Sequence, residues 1–276
     1  MRCNSLQVVL AIAAVAMALF AGTANAGLIT QLGILDLTAN GGINPATSAA
    51  WAAGDTYRFA FTTRGLTQAT SSDINYYNAF VQNAADATTV YDIGVDEGVT
   101  WKAIASTPTV DARDNTSTNI GVNGTGEAIF LLNNNLVADN YADLWGSASH
   151  TTPINKTELN TNPYNTDYGS LWTGTHRNAY PDPNYGTKYG YTWGGVYYGP
   201  LGDPGGNSFG GLWPANSGTH WIYRFGFAET KELPIYALSD PLTITDDAPV
   251  IPEPSTLAIW GLGLLGLAWF ARRRRR

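Results

Sequence analysis

The sequence predicts an α+β domain that combines a twisted antiparallel sheet with one main helix and long aromatic loops. Short apolar runs alternate with clusters of Gly, Pro, Asn, Asp and Thr, which is the pattern of short strands joined by turns. One segment has the apolar spacing of a long amphipathic helix. The stretch 147–217 is rich in Gly, Asn, Pro and Tyr without a regular period, which indicates loops held by aromatic side chains.

The clearest strand signal lies at 221–227. Trp221, Tyr223, Phe225 and Phe227 occupy alternate positions there, and a period of two places their rings on one face. Shorter strand signals lie at 57–61, 99–105, 128–132 and 233–238.

The main helix is predicted behind Ser71 and Ser72, which are candidate N-caps. Apolar residues recur there at spacings of three and four, as one face of an amphipathic helix requires. These residues are Ile74, Tyr77, Phe80, Val81 and Ala84. A second, short helix is predicted over 139–145.

Charge and cysteine content exclude several classes of function. Residues 27–249 contain 9 Lys or Arg against 21 Asp or Glu, a net charge of −12. Phosphate and sulphate contacts need cations, so this domain is not expected to bind nucleic acid or sulphated polysaccharide. The one cysteine, Cys3, lies in the N-terminal leader described next, so the mature protein has no disulfide, thiol nucleophile or thiolate metal site.

The first 26 residues have the organisation of a secretory leader. Arg2 precedes the apolar stretch 6–21, which is predicted to be a signal helix, and Ala24 and Ala26 supply the small residues that signal peptidase recognises. Cleavage is expected after Ala26, and a retained membrane anchor is the alternative.

The last 26 residues have three parts. Pro252, Glu253 and Pro254 form the first. The uncharged run 257–271 is the second; as a helix it is about 22 Å long, short of a ~30 Å hydrocarbon core. The third is a basic cluster that should stay on the cytoplasmic side and leave the domain on the far side of the inner membrane. It consists of Arg272, Arg273, Arg274, Arg275 and Arg276.

This tail closely resembles the PEP-CTERM sorting signal of Gram-negative bacteria, with Pro252, Glu253 and Pro254 at the signature triplet. The resemblance implies that an exosortase recognises the triplet and processes the protein during export, so that the inner membrane holds the tail only transiently. It further implies a destination at the cell surface or outside the cell and an association with exopolysaccharide and biofilm. The predicted division is a signal peptide at 1–26, a core domain at 27–249 and a sorting signal at 250–276.

The core from about 56 to 242 resembles the endostatin domain of collagens, which has a C-type lectin-like fold. The order of the segments carries the resemblance: 77–80, 100–106, 110–111, 128–132, 145–146, 171–175, 221–227 and 233–238. The chain lacks endostatin's disulfides, its zinc histidines and its basic surface, as well as the calcium motifs of sugar-binding lectins. Neither the zinc nor the heparin activity is therefore expected here.

The aromatic residues of 147–217 can stack on the apolar faces of sugar rings, and the alternative is that they anchor loops to the core. The candidate glycan contacts are Trp172, Tyr191, Trp193 and Trp213.

The sequence supports a metal site less well than it supports glycan contacts. Two loop clusters offer oxygen ligands for calcium, although Asp and Asn in turns usually bond the backbone instead. They are Asp111, Asp114 and Asn115, and Asp203 and Asn207. His150, His176 and His220 have no zinc-ligand spacing and are interpreted as unrelated histidines.

Catalysis has no recognisable motif. The sequence lacks the G-x-S-x-G turn that would indicate a serine hydrolase. A glycoside hydrolase needs two well-placed carboxylates, and the sequence does not identify such a pair. The leading hypothesis is a non-enzymatic exported protein that contacts exopolysaccharide. The alternative is a secreted polysaccharide hydrolase that uses an unidentified Asp/Glu pair.

Overall fold

The computed structural model describes residues 27–146, 150–163, 169–176, 190–214 and 220–246. The chain divides into two units, and the unit Ile29–Thr245 contains nearly all of the described residues. The other unit, Met1–Leu28 with Asp246–Arg276, has only residues 27, 28 and 246 within these ranges. The predicted leader at 1–26 and the sorting segment 250–276 lie outside them. Across the described ranges, no helix has the length and hydrophobicity needed to cross a membrane.

Among the regular elements of the described residues, strands outnumber helices, as the α+β prediction requires. The strands are β1 Leu28–Thr30, β2 Ile43–Asn44, β3 Ala49–Ala50, β4 Thr56–Thr62, β5 Trp101–Ala103, β6 Ala128–Leu131, β7 Leu136–Ala138, β8 Ser170–Trp172, β9 Tyr191–Trp193, β10 Val196–Tyr198, β11 Asn207–Leu212, β12 Phe225–Ala228, β13 Tyr236–Ser239 and β14 Leu242–Asp246. The α-helices are α1 Ile74–Asp86, α2 Ala112–Asn115, α3 Ile120–Asn123 and α4 Tyr141–Trp145, with 3-10 turns at Ala39–Gly42 and Val95–Glu97.

The main sheet has seven strands organised around β4. One path through it runs β1-β14-β4-β13-β5, while β6 pairs with β4 and β7 pairs with β6. Tyr57 pairs with Leu242 of β14 and Ala60 with Leu238 of β13, so these two strands share one edge of β4. The opposite edge of β4 pairs with β6. The pairings of β4 with β13 and β14, of β13 with β5 and of β6 with β7 are antiparallel, while that of β4 with β6 is parallel.

Helix α1 confirms the predicted main helix but begins differently. Its N-cap is Asp73, which accepts a hydrogen bond from the Asn75 backbone N–H, rather than Ser71 or Ser72. Amide side chains of the helix also accept hydrogen bonds from backbone N–H groups of strand β5. Gln82 Oε1 accepts from the Trp101 N–H at 2.8 Å, and Asn78 Oδ1 accepts from the Ala103 N–H at 2.9 Å. These bonds cover an edge strand whose backbone groups would otherwise be unpaired.

The predicted loop region 147–217 contains strands, which the sequence interpretation missed. Strands β8, β11 and β12 form an antiparallel sheet, and β9 pairs with β10. Glycines in β11 hide the strand pattern because neighbouring backbone lies too close for a side chain. A Cβ on Gly211 would lie 1.9 Å from the Trp221 carbonyl oxygen, and one on Gly210 would lie 2.6 Å from the Leu171 oxygen.

The predicted strand 221–227 is wrong over its first half, because β12 begins only at Phe225. Trp221 and Ile222 lie in a turn that precedes it, and both are buried. The Trp221 ring packs 5.5 Å from the ring of Trp145 and 5.8 Å from that of Tyr236. Packing of these aromatic rings therefore overrides the alternating pattern.

Arg58 is buried in the middle of β4. Its side chain is 3% exposed and forms an ion pair with Glu127 at 3.1 Å. Its Nη1 donates to the backbone oxygens of Thr116 and Ser239 at 2.9 and 3.1 Å. The Tyr141 hydroxyl donates to the same Glu127 carboxylate. The buried guanidinium therefore links the sheet to two connecting segments.

Candidate functional site

Tyr197, the middle residue of β10, has a partly exposed aromatic ring that lies against the glycine-rich segment after the strand. Tyr197 is 38% exposed although its ring packs closely on backbone. A Cβ on Gly205 would lie 2.5 Å from Tyr197 Cδ1, and one on Gly199 would lie 3.1 Å from Cε1. Glycine at these two positions lets the ring lie against the loop while it stays partly exposed to solvent.

The Asp203 carboxylate accepts hydrogen bonds from both the glycine-rich loop and Tyr197. Its Oδ1 accepts from the Gly205 backbone N–H at 3.0 Å, and the Tyr197 hydroxyl donates to its Oδ2 at 3.4 Å. Burial raises the pKa of Tyr197, and the negative charge of Asp203 raises it further. The phenol is therefore protonated at neutral pH and acts as a donor.

Glu229 is the second acid of this region and follows β12 directly. Its Oε1 accepts from Ser208 Oγ at 2.8 Å, and its backbone N–H donates to the Gly206 oxygen at 3.1 Å. Burial raises the pKa of Glu229, the Ser208 hydrogen bond opposes the shift, and the charge of Asp203 adds to it. Glu229 is only 9% exposed and lies buried near Asp203, so we give the name Tyr197 surface to Tyr197 and Asp203 alone. This surface combines an apolar ring face with a carboxylate acceptor, which are the groups that sugar rings and hydroxyls contact.

The predicted glycan contacts have different environments. Trp172 is completely buried and its indole N–H donates to the Thr67 oxygen at 3.0 Å, so its ring is a core residue and does not reach the surface. Trp213 is half-buried and packs against the hydrophobic core. Tyr191 and Trp193 lie in strand β9, and their side chains are outside the described part of the structure. Their contact with glycan stays a prediction.

Sequence reasoning did not single out Tyr197 among the aromatics of 147–217. The signal that could have found it is the density of glycine around it, at 194, 195, 199, 202, 205 and 206. Glycine in such numbers beside an aromatic residue indicates close packing of a ring on backbone.

The predicted calcium ligands make protein hydrogen bonds. Asp114 Oδ1 accepts from Asn119 at 2.7 Å, and Asn115 Nδ2 donates to the Ala103 oxygen at 2.7 Å. Asp111 precedes α2, Asp203 binds its own loop, and Asn207 begins β11. The ranges that the structure describes contain no group of three or more His, Cys, Asp or Glu arranged to hold a metal ion.

The three histidines have separate surroundings. The His150 ring packs 4.6 Å from that of Trp221, and its Nε2 lies 3.0 Å from the Leu144 oxygen. Burial lowers the pKa of His150 and that of His176, whose ring packs on Phe209. His220 lies 3.5 Å from the Arg224 guanidinium. Each ring therefore belongs to its own local packing.

Comparison with known proteins adds one finding at the C-terminus. Residues 250–276 match the PEP-CTERM protein-sorting motif. No curated protein matches the chain. The motif identifies an exported protein that is targeted to an exosortase, with a sorting signal anchored in the membrane.

Proposed function

We propose that the chain is a non-enzymatic protein of the cell surface or extracellular matrix of a Gram-negative bacterium, and that it binds exopolysaccharide through the Tyr197 surface. The sorting motif supports the exported location. The observation that carries the binding role is the Tyr197 ring, which is partly exposed yet held on glycine backbone beside Asp203. A protein of this kind contributes to biofilm by linking polysaccharide chains to the surface.

The maturation steps of this proposal follow the predicted segments. Signal peptidase removes 1–26, and the segment 257–271 holds the precursor in the inner membrane with the basic tail 272–276 in the cytoplasm. Exosortase then acts at the Pro252–Pro254 triplet and releases the core 27–249. We further infer that this core is C-type lectin-like, which its antiparallel sheets, single long helix and glycine-rich loops support.

Binding by stacking depends on the fixed orientation of Tyr197. A side chain that is already immobilised loses little conformational entropy when a ligand binds. The apolar face of a sugar ring covers the aromatic ring, while sugar hydroxyls donate to Asp203. Neutral sugars suit the surface best because the domain carries a net charge of −12.

The test compares two variants that each remove one exposed ring. Tyr197→Ala should weaken binding to purified exopolysaccharide at least tenfold, measured by affinity electrophoresis or calorimetry. Phe225→Ala is the matched control, because Phe225 is 40% exposed on β12 and is not part of the Tyr197 surface. Equal binding by Tyr197→Ala and the unmodified protein would refute the assignment.

A second candidate function is polysaccharide hydrolysis. Glu229 has a raised pKa beside Asp203, which is the property of a general acid in glycosidases. Release of reducing sugar from the polysaccharide, abolished by Glu229→Gln or Asp203→Asn, would establish this function in place of the first. Binding without product release supports the non-enzymatic role.

A further inference from the structure

A cleft of about 610 Å³ lies between α1, the turn that follows β4 and the loop at Glu158. Its walls include Phe80, Ala84 and Leu159, and Arg64 lies among the residues that line it. The volume is within the ~300–1,000 Å³ of small-molecule sites. A mainly apolar cleft with a few polar groups is the usual composition of such sites.

Two hydrogen bonds and one ring contact hold the turn that contains Arg64. The Arg64 backbone N–H donates to Glu158 Oε2 at 3.0 Å, and Thr63 Oγ1 donates to the Gly65 oxygen at 2.9 Å. The Phe80 ring lies so close to Gly65 that a Cβ there would be 3.3 Å from Phe80 Cζ. These contacts fix the backbone of Arg64, and none of them involves its guanidinium group.

Glu158 accepts a hydrogen bond from the Arg64 backbone and also interacts electrostatically with the Arg64 side chain. Its residue is 7% exposed, and its own backbone oxygen accepts from Thr88 Oγ1 at 3.1 Å. Burial raises the pKa of Glu158, and its hydrogen bonds and the charge of Arg64 oppose that shift. The guanidinium of Arg64 is exposed and forms no ion pair within the described ranges. The cleft therefore presents the Arg64 cation beside an apolar wall, with the largely buried Glu158 carboxylate also in its lining.

We propose that this cleft binds a hexuronate, either free or as a unit of a polysaccharide. The planar guanidinium of Arg64 matches a carboxylate through two parallel hydrogen bonds. The apolar face of the sugar ring packs on Phe80, and Asn83 offers its amide to the sugar hydroxyls. Because the domain is strongly acidic, a polymer with sparse uronate units fits better than a dense polyanion.

This inference does not rest on the Tyr197 surface, and its probes are different. Calorimetric titration of the protein purified after export compares glucuronate, glucose and cyclohexanecarboxylate. We expect glucuronate to bind at least tenfold more tightly than either of the others, because only it has both the carboxylate and the hydroxyls. Equal affinity for glucose, binding of cyclohexanecarboxylate alone, or binding of none would overturn the proposal.

Two arginine variants locate the site. Arg64→Gln should weaken glucuronate binding at least tenfold, whereas Arg224→Gln, which removes another exposed arginine, should leave it within twofold. Loss in both variants, or in neither, contradicts the assignment. Tyr197→Ala should bind glucuronate normally, so that failure of this site and failure of the proposed polysaccharide site give different results. Unchanged thermal unfolding of Arg64→Gln shows that any loss of binding is local.

Discussion

Replacement of the buried Arg58 by Met should destabilise the protein strongly. The substitution removes the ion pair with Glu127 and two charge-assisted hydrogen bonds to the Thr116 and Ser239 oxygens. It also leaves the Glu127 carboxylate, whose side chain is 19% exposed, without its cation. Removal of one partner from a buried pair costs about 3–5 kcal/mol of unfolding free energy.

The expected shift in melting temperature follows from that cost. A domain of this size loses about 2–4 °C for each kcal/mol, so Arg58→Met should melt roughly 6–20 °C lower. The assay is thermal unfolding followed by circular dichroism, together with urea unfolding to obtain the free energy. Arg224→Met is the control, because Arg224 is exposed and its loss should change the free energy by about 0.5 kcal/mol or less.

A double variant tests the physical reason. Glu127→Gln removes the unpaired charge but keeps an acceptor for the Tyr141 hydroxyl. Added to Arg58→Met, it should recover at least about 1 kcal/mol, since the buried charge is the main cost. If Arg58→Met alone costs less than about 1 kcal/mol, or if Glu127→Gln lowers its stability further, the reasoning is refuted.

The remaining predictions concern the tail, a buried histidine and a buried tryptophan. Deletion of Pro252–Pro254 should leave the precursor in the inner membrane fraction, while deletion of 247–249 should not; delivery of the first variant to the cell surface would contradict the role of the triplet. Burial lowers the pKa of His150, so the unfolded chain binds more protons below about pH 6.5 and stability falls as the pH drops through that value. The melting temperature of His150→Phe should therefore fall less than that of the unmodified protein between pH 7.5 and 5.5, and parallel curves would exclude the effect. Trp172→Ala should lower the free energy of unfolding by about 3–5 kcal/mol, because the ring is fully buried. A loss below about 1 kcal/mol, measured by urea unfolding, would show that the ring is not part of the core.

Local patterns predicted the elements whose signals are strong and contiguous. Helix α1 has a long amphipathic period, and strands β4 and β6 are short apolar runs bounded by polar turns. Helix α1 buries the face that its spacing defines, whereas β4 and β6 are buried at nearly every position, so a continuous apolar run is their signal. The N-cap was misplaced because three neighbouring residues, Ser71, Ser72 and Asp73, have side chains of similar capping ability.

The candidate site was predicted only as a class of residue. Aromatics in the region 147–217 were expected to divide between core anchors and surface contacts, but their sequence does not distinguish Trp172 from Tyr197. Trp172 is buried, and the backbone oxygen of Thr67, distant in sequence, accepts its indole N–H. Tyr197 stays partly exposed because the 199–205 loop meets its ring with glycine backbone.

The sequence by itself determined the sorting tail, the acidic charge of the core and the main helix, because each is written in neighbouring residues. Only the tertiary structure decided that Arg58 is buried beside Glu127, that glycine-rich segments pair as strands, and that Arg64 borders a cleft. Each of these depends on residues far apart in the chain whose contacts exist only after folding. A sequence pattern records the preference of a segment, whereas burial and pairing depend on what packs against it.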